Sequence, residues 1–257
     1  MAAGFREAPM SVIYILWLRQ LKRYFRSRAR IIGSLGQPLL FLVALGFGFG
    51  PIYRKAGGGD YLQFLTPGII AMSILFTATF SGIEVIWDRQ FGFLKEILVA
   101  PVSRTRIMIG RTMGGATVAV FQGAIVFFLS LVVGFRPANL LLLPIALVYM
   151  GLIAIMFTAL GTAIACLIDD MHGFQLIINF LIMPTFFLSG ALFPMNSLPG
   201  PAAIISAANP LAYGVDALRG ILTDGSHFSL LTDLGVLVLV AAGIMGVGSY
   251  LFSRIQA

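Results

Sequence analysis

The chain has 257 residues, of which 59% are hydrophobic and 11% charged, and its formal net charge is +7. A soluble domain carries about 25% charged residues, so this composition excludes a globule folded in water and predicts a membrane domain. The basic excess indicates loops that face anionic lipid, since no nucleic-acid-binding motif accompanies it. The one cysteine, Cys166, excludes an intrachain disulfide.

The segment before the first long apolar run, MSVIYILWLRQLKRYFRSRAR, has two faces. Arginines fill the positions between apolar residues at helical spacing, which are Ile13, Leu16, Trp17, Leu21, Tyr24 and Phe25. This pattern predicts an amphipathic helix in the plane of the membrane interface. The alternative is a plain basic anchor on the cytoplasmic side.

Six apolar runs are long enough for the ~20 residues that a spanning helix needs. They lie at about 31–50, 62–84, 107–134, 140–167, 174–193 and 230–252. The stretch 194–229 is broken by prolines and predicts two short re-entrant helices at the outer interface. It carries Asp216 and Arg219, which stand three apart on a helix and are predicted to pair. We therefore expect an all-α membrane protein whose residues 1–257 form a single transmembrane domain.

The basic residues are unequally divided between the two sides of this topology. With the N-terminus inside, four of the 17 lysines and arginines fall outside: Arg54, Lys55, Arg136 and Arg219. The positive-inside rule then predicts that both termini are cytoplasmic and that 194–229 faces out.

Several function classes lack their usual residues. No ionisable group lies near the middle of a span, where a secondary transporter usually needs one, since Glu84 and Arg111 sit at span ends and can extend to the interface. No lysine belongs to a Walker A motif, His172 and His227 are isolated, and no catalytic set converges. We expect no catalytic residue, no metal site and no cofactor bound by this chain.

Polar residues form one stripe along the second span, at Thr66, Ser73, Thr77, Ser81 and Glu84. This stripe is either the wall of a pathway between two protomers or a set of small residues that help helices pack. Asn179 is the most polar residue in the middle of the fifth span, and spans two and five are predicted to face a second chain. GRTMG (110–114) has the GxxxG pattern of close helix packing.

A dense mixed-charge segment, WDRQFGFLKEILVAPVSRTR (87–106), separates the second and third spans. A short helix from Phe91 to Val99 would place Phe91, Leu94 and Leu98 on one face, and Ser103 would cap the third span. Its charged side would meet a soluble partner. The alternative is an amphipathic loop that rests on lipid.

Four stretches together resemble the type-2 ABC transporter permeases, in their drug-resistance and nodulation-factor exporter branch. These stretches are YLQFLTPGIIAMSILF (61–76), LKEILVAPVSRTR (94–106), FLSGALFPMNSLP (187–199) and PLAYGVDALRG (210–220). The last one is similar to the end of the family signature. The residues that match the signature, or lie within its matched stretch, are Pro210, Tyr213, Asp216 and Arg219.

The resemblance implies a half-transporter: a second permease chain, expected as a homodimer, and two copies of a separate ATPase that binds ATP and Mg. It implies that the 87–106 segment docks on the ATPase through Arg89, Phe91, Phe93, Lys95, Glu96 and Arg104. The polar stripe and Asn179 predict a substrate pathway along Ser73, Thr77 and Asn179, and the resemblance implies that Phe186 and Phe187 form a hydrophobic gate near its outer end. The expected location is a prokaryotic plasma (inner) membrane.

A pathway with few polar groups and no charge predicts an amphipathic or apolar substrate, such as a drug, lipid or glycolipid. Export of a polysaccharide or teichoic acid remains an alternative within this class. A gradient-driven secondary transporter and a membrane-embedded lipid-modifying enzyme are the alternatives outside it.

Overall fold

The computed structural model describes residues 9–57, 59–94, 99, 102–194 and 200–255, and within them all regular structure is helical. The α-helices before the middle of the chain are α1 (Pro9–Arg26), α2 (Arg28–Lys55), α3 (Tyr61–Phe80), α4 (Ile83–Gln90) and α5 (Arg104–Val133). A 3-10 turn (Leu140–Leu142) then precedes α6 (Leu143–Leu167), α7 (Met171–Phe187), α8 (Gly200–Ala208), α9 (Pro210–Thr223) and α10 (Leu230–Ser253).

Side-chain caps begin several of these helices. Ser27 accepts a hydrogen bond from the amide of Arg30, and Asp60 accepts one from Leu62 at the start of α3. Asp170 and Asn209 cap α7 and α9 in the same way. Each cap satisfies an amide that the first helical turn leaves without a partner. Ser103 does stand at the N-cap of α5, but its side chain makes no capping bond.

Five segments of the described residues are long and apolar enough to cross a membrane. They are Arg28–Lys55, Tyr61–Gln90, Arg104–Val133, Leu140–Leu167 and Leu230–Ser253. The predicted fifth span, 174–193, is shorter in the structure, since α7 ends at Phe187 after 17 residues. A helix of that length spans ~25 Å against a bilayer core of ~30 Å.

The end of α7 has a local cause. Gly190 adopts φ +73°, a conformation that glycine tolerates, and the chain turns back there. Ala191 and Leu192 then lie buried against the first turns of α3, where Tyr61 donates a hydrogen bond to the Leu192 carbonyl. A Cβ added to Gly68 would meet the Ala191 backbone at 2.6 Å, so glycine permits this close approach.

α3 is the central helix of the bundle. It packs against α2, α5, α6 and α9, and most of its side chains are buried. A Cβ at Gly82 would overlap the carbonyl of Gly161. α6 therefore crosses the junction between α3 and α4 at close range. Thr66 and Ser73 of the polar stripe are buried within the chain, which favours the helix-packing alternative for these two residues.

The predicted short helices in 194–229 are present as α8 and α9. α9 is almost wholly buried between α3, α6 and α10, whereas α8 exposes Ile204 and Ile205. Residues 195–199, which include part of the stretch similar to the permease family, lie outside the described residues.

Candidate coupling and transport site

One end of the bundle gathers most of the charged side chains. We call it the basic end; residues 19–30, 84–94, 104–111, 166–171 and 254–255 form it. The ion pairs between α1 and α4 and between α4 and the α6–α7 loop bring these segments together, as does the hydrogen bond from Arg104 to the Ile255 carbonyl. Part of α1 and the C-terminal end of α10 therefore lie at the same end of the described bundle.

Two carboxylates of α4 organise this end. Asp88 is 2% exposed and accepts hydrogen bonds from Arg19 of α1, at 2.6 Å, and from the buried Arg111 of α5. Glu84, 4% exposed, pairs with Arg23 of α1 at 3.2 Å and with Arg30 of α2 at 3.1 Å. The expectation that Glu84 and Arg111 extend to the interface is wrong, because both are buried in ion pairs.

α1 does not simply lie on the membrane. It packs along α5, where Trp17 donates a hydrogen bond to Thr117 at 3.0 Å and the Tyr24 hydroxyl donates one to Gln122. A Cβ at Gly114 would meet Gln20 at 2.6 Å, so the GRTMG glycines admit α1. Its outer face still exposes Tyr14, Ile15 and Phe25.

The segment predicted to dock an ATPase follows α4. Gly92 adopts φ +78° and ends the helix, and the flanking Phe91 and Phe93 are 71% and 50% exposed. Leu94 is buried, so Phe91 and Leu94 do not share a face as the sequence predicted, because the glycine turn rotates them apart. Lys95, Glu96 and Leu98 lie outside the described residues.

Two other predicted docking residues bind within the chain. Arg89 pairs with Asp169 in the α6–α7 loop, and its guanidinium also lies 3.4 Å from the carbonyl oxygens of Cys166 and Ile168. Arg104 donates to the Ile255 carbonyl at 2.7 Å. Both therefore tie the segment to its neighbours, and their contact with an ATPase stays a prediction.

A cavity lies between α1, α2, α3 and α5 next to the basic end. Its volume is about 280 Å³, and Ser73, Thr77, Ser81 and Glu84 of the predicted stripe line it. The stripe thus borders a space inside one chain. We call this space the α2–α3 cavity.

The predicted pathway residues on α7 lie elsewhere. Asn179 is exposed on the outer face of α7, next to Phe180, which is 84% exposed. Phe186 is buried against Phe41 of α2, whereas Phe187 is about half exposed. These residues therefore do not meet Ser73 and Thr77 within a single chain.

The predicted signature residues lie on α9 at the opposite end of the bundle. Pro210 is the first residue of α9, and Tyr213 donates a hydrogen bond to the Ala207 carbonyl at 2.8 Å. The predicted pairing of Asp216 with Arg219 is wrong. Asp216 accepts hydrogen bonds from the amides of His227 and Phe228, and so closes the loop into α10.

Arg219 makes its contacts with two other elements. Its guanidinium donates to the Gly190 carbonyl at 2.8 Å, lies 3.4 Å from the Phe64 carbonyl, and stacks on the Phe64 ring at 4.0 Å. Burial lowers the pKa of Arg219 to about 10, so the side chain is still cationic at neutral pH. Arg219 therefore joins α9, α3 and the turn after α7.

Sequence reasoning missed two buried acids. Asp88 lies in a charged segment, which is typical of surface residues. The signal that could have revealed its burial is its spacing of four from Glu84, which places both carboxylates on one helix face. Asp233, in the first turn of α10, is fully buried, and both its carboxylate oxygens lack a hydrogen-bond partner among the described residues. Among all the residues that the structure describes, no cluster of three or more potential metal ligands is present.

Known proteins resemble this chain over most of its length. The family described as "ABC-2 type transporter" matches residues 11–223. Nodulation protein J of Rhizobium meliloti (strain 1021) is 31% identical, over 83% of this chain and 81% of that protein, and the namesake from Rhizobium leguminosarum bv. viciae is 29% identical over 87% of both. Putative transport permease ycf38 of Cyanophora paradoxa is 27% identical over 97% of this chain and 93% of the relative. The chain belongs to the ABC-2 type transporter family, and so it is a multi-pass membrane component of an ABC transporter.

Proposed function

We propose that this chain is the transmembrane subunit of an ATP-driven exporter that moves an amphipathic or hydrophobic substrate out of the cytoplasm. Two copies of a separate ATPase subunit, which carry the ATP and Mg, would energise it. Membership of the ABC-2 family is the observation that carries this proposal. The described part of the chain also offers a place for such a partner, since Phe91 and Phe93 project from the basic end without being buried.

The ion pairs of α4 support a mechanical link at this place. A force on Phe91 or Phe93 acts on α4, and Asp88 and Glu84 connect α4 to α1, α2 and α5. Arg89 adds a connection to the α6–α7 loop. We infer that motion of an ATPase bound at the 87–106 segment would reach several helices at once.

The orientation and assembly also belong to this proposal. We place the basic end and both termini in the cytoplasm of a prokaryote, because basic residues favour that side of a plasma membrane. We infer six crossings, with α7 as the short fifth one, and a homodimer. Cysteines at Ser226 and Ser103, in a Cys166→Ala background, test the orientation: the first should label from outside and the second after permeabilisation.

Phe93→Ala and Glu96→Lys test the proposed coupling. Both should leave the permease inserted and dimeric, while the ATPase co-purifies poorly or hydrolyses ATP without export, because aromatic anchors and rim charges govern such contacts. Phe47→Ala, which truncates an exposed phenylalanine of α2, is the matched control. Unchanged ATPase binding and export in both variants would remove the coupling assignment and return the segment to a lipid-facing loop.

The exported material defines a narrower alternative. A polysaccharide or teichoic-acid permease would share the family and the partner but would carry a strongly polar chain. Transport of amphipathic dyes by vesicles that hold the complex and ATP separates the two cases. The proposed exporter should transport such dyes, and a polysaccharide or teichoic-acid permease should not.

A gradient-driven transporter is the alternative that Asp233 favours, since buried carboxyls commonly carry protons in such proteins. It predicts transport by this chain alone under a pH gradient, and loss of that transport in Asp233→Asn. Our proposal predicts no transport without the ATPase and ATP, with or without a gradient.

A further inference from the structure

The α2–α3 cavity has a mixed lining. Apolar side chains of α3, Met72, Phe76 and Phe80, cover much of its wall. Neutral hydroxyls contributed by Ser34, Ser73 and Thr77 interrupt this surface, and the Arg30–Glu84 ion pair closes the end next to α4. A space with mostly apolar walls and a few polar groups is typical of small-molecule sites.

The charged groups at the cavity already have partners. Glu84 pairs with Arg30 and with Arg23, and Arg23 also lies 3.7 Å from Asp88. A ligand with a net charge would find no free counterion there and would lose its hydration on entry. The electrostatics of the cavity therefore favour an uncharged ligand.

One polar atom at the wall lacks a partner. Ser73 is 2% exposed, and its Oγ makes no hydrogen bond within the described residues. Buried hydroxyls nearly always have a partner in proteins, and this one lines the cavity. The Ser73 hydroxyl thus has an unused donor and acceptor at the wall of the cavity.

We propose that the α2–α3 cavity of each chain binds an uncharged amphipathic molecule. Its apolar body lies against Met72, Phe76 and Phe80, and its polar group bonds to Ser73. The molecule is either the cargo or a neutral lipid of the bilayer. This inference deepens the proposed export function, but binding requires neither the ATPase nor transport.

Photolabelling of the purified chain in phosphatidylcholine nanodiscs tests the ligand class. Three diazirine probes of equal length are compared: decanol, decanoate and decylammonium. Mass spectrometry should locate decanol adducts at Met72, Phe76 or Thr77, with about tenfold fewer adducts from either charged probe. Equal labelling by all three probes, or decanol adducts confined to exposed α7 and α10 residues, would overturn the proposal.

A pair of glycine variants tests the place of binding. Gly33 borders the cavity, whereas Gly36 does not, and both lie exposed on α2, where an added Cβ would meet no atom within 4 Å. Gly33→Leu should reduce the decanol adducts at Phe76 about tenfold, and Gly36→Leu should leave them unchanged. Ser73→Ala should also reduce them, since it removes the proposed polar partner. Equal labelling in all four proteins would contradict the assignment.

The source of the ligand is resolved with the complete transporter. During ATP turnover a cargo leaves the cavity, so decanol labelling at Phe76 falls if decanol follows the path of the cargo. A bilayer lipid stays, so labelling is unchanged by ATP but falls when diacylglycerol is added to the nanodisc. Loss of ATP-driven export together with intact labelling would count against the proposed function and leave the binding site standing.

Discussion

Asp88 holds the helices of the basic end together through charge. Arg19 and Arg111 donate to its two carboxylate oxygens, and Arg111 is itself 4% exposed. Removing one partner of such a buried pair leaves an uncompensated charge, which is far more destabilising than the loss of a surface ion pair. Several independent elements depend on this one side chain.

We therefore expect Asp88→Asn to destabilise the protein by ~3–5 kcal/mol. The apparent Tm in detergent measures this effect. Asp224→Asn is the matched control, because Asp224 is exposed and its φ of +54° suits asparagine equally well. A similar Tm for the two variants would show that the ion pairs of α4 contribute little.

Arg219 supports the other end of the molecule in a comparable way. Arg219→Ala removes a donor from the Gly190 carbonyl and a cation from the Phe64 ring, a loss of about 1–3 kcal/mol for the hydrogen bond alone. We expect lower stability and weaker export than in Lys55→Ala, whose side chain is exposed. Equal, negligible effects on Tm and export would show that the buried contacts of Arg219 contribute little.

The sequence identified Arg219 as important but assigned the wrong partner. A spacing of three on a helix permits an Asp216–Arg219 pair. Instead, Asp216 accepts hydrogen bonds from amides of the loop before α10, and Arg219 donates to carbonyls of two distant elements. Local spacing carries no information about these distant groups. Asp88 was missed for the same reason, since its arginines come from α1 and α5.

Hydropathy predicted the positions of the helices more reliably than it predicted where they end. Long apolar runs predicted five spanning segments close to their positions in the structure, because the bilayer thickness fixes the required length. The length of the fifth span, 174–193, was overestimated, because the apolar residues Ala191 and Leu192 pack against α3 and do not extend the helix. The amphipathic pattern of α1 predicted a helix, but it did not reveal that α5 provides the docking surface.

The close contact between α1 and α5 yields a test at the level of elements. Gly114→Leu would place side-chain atoms where Gln20 lies, 2.6 Å from the glycine's Cβ position, so we expect α1 to separate from α5. A disulfide between Trp17→Cys and Thr117→Cys, whose native side chains are hydrogen-bonded, reports the contact.

This disulfide should form in the otherwise native chain and fail to form when Gly114→Leu is added. Gly246→Leu on α10, where a Cβ meets nothing within 4 Å, should not affect it. Cys166→Ala is needed in every variant so that the engineered pair is read without interference. Undiminished crosslinking in Gly114→Leu would mean that α1 has room to shift without leaving α5.

For the molecule as a whole, the exposed face of α7 is the clearest indication of a second chain. An asparagine amide in lipid has no hydrogen-bond partner, which is costly, and Asn179 stands exposed among apolar residues such as Leu176 and Phe180. A partner helix would cover both the amide and its neighbours. The sequence indicated the polar residue, but the exposure of its face needed the structure.

We therefore expect Asn179→Cys to form a disulfide-linked dimer in membranes that hold the Cys166→Ala chain. Leu239→Cys, on α10 and 74% exposed, should remain monomeric under the same oxidation. Efficient dimers from position 239 and none from 179 would place the interface on α10 instead of α7.

The docking of α1 also has a consequence for the order of synthesis. Its partners are made late: Asp88 follows Arg19 by 69 residues, and Thr117 follows Trp17 by 100. At ~5–20 residues per second, a ribosome needs roughly 5–20 s to supply them. During this interval the exposed rings and arginines of α1 suit it to the surface of the bilayer. We therefore expect α1 to bind the lipid headgroups first and to dock on α5 only after α5 has been inserted.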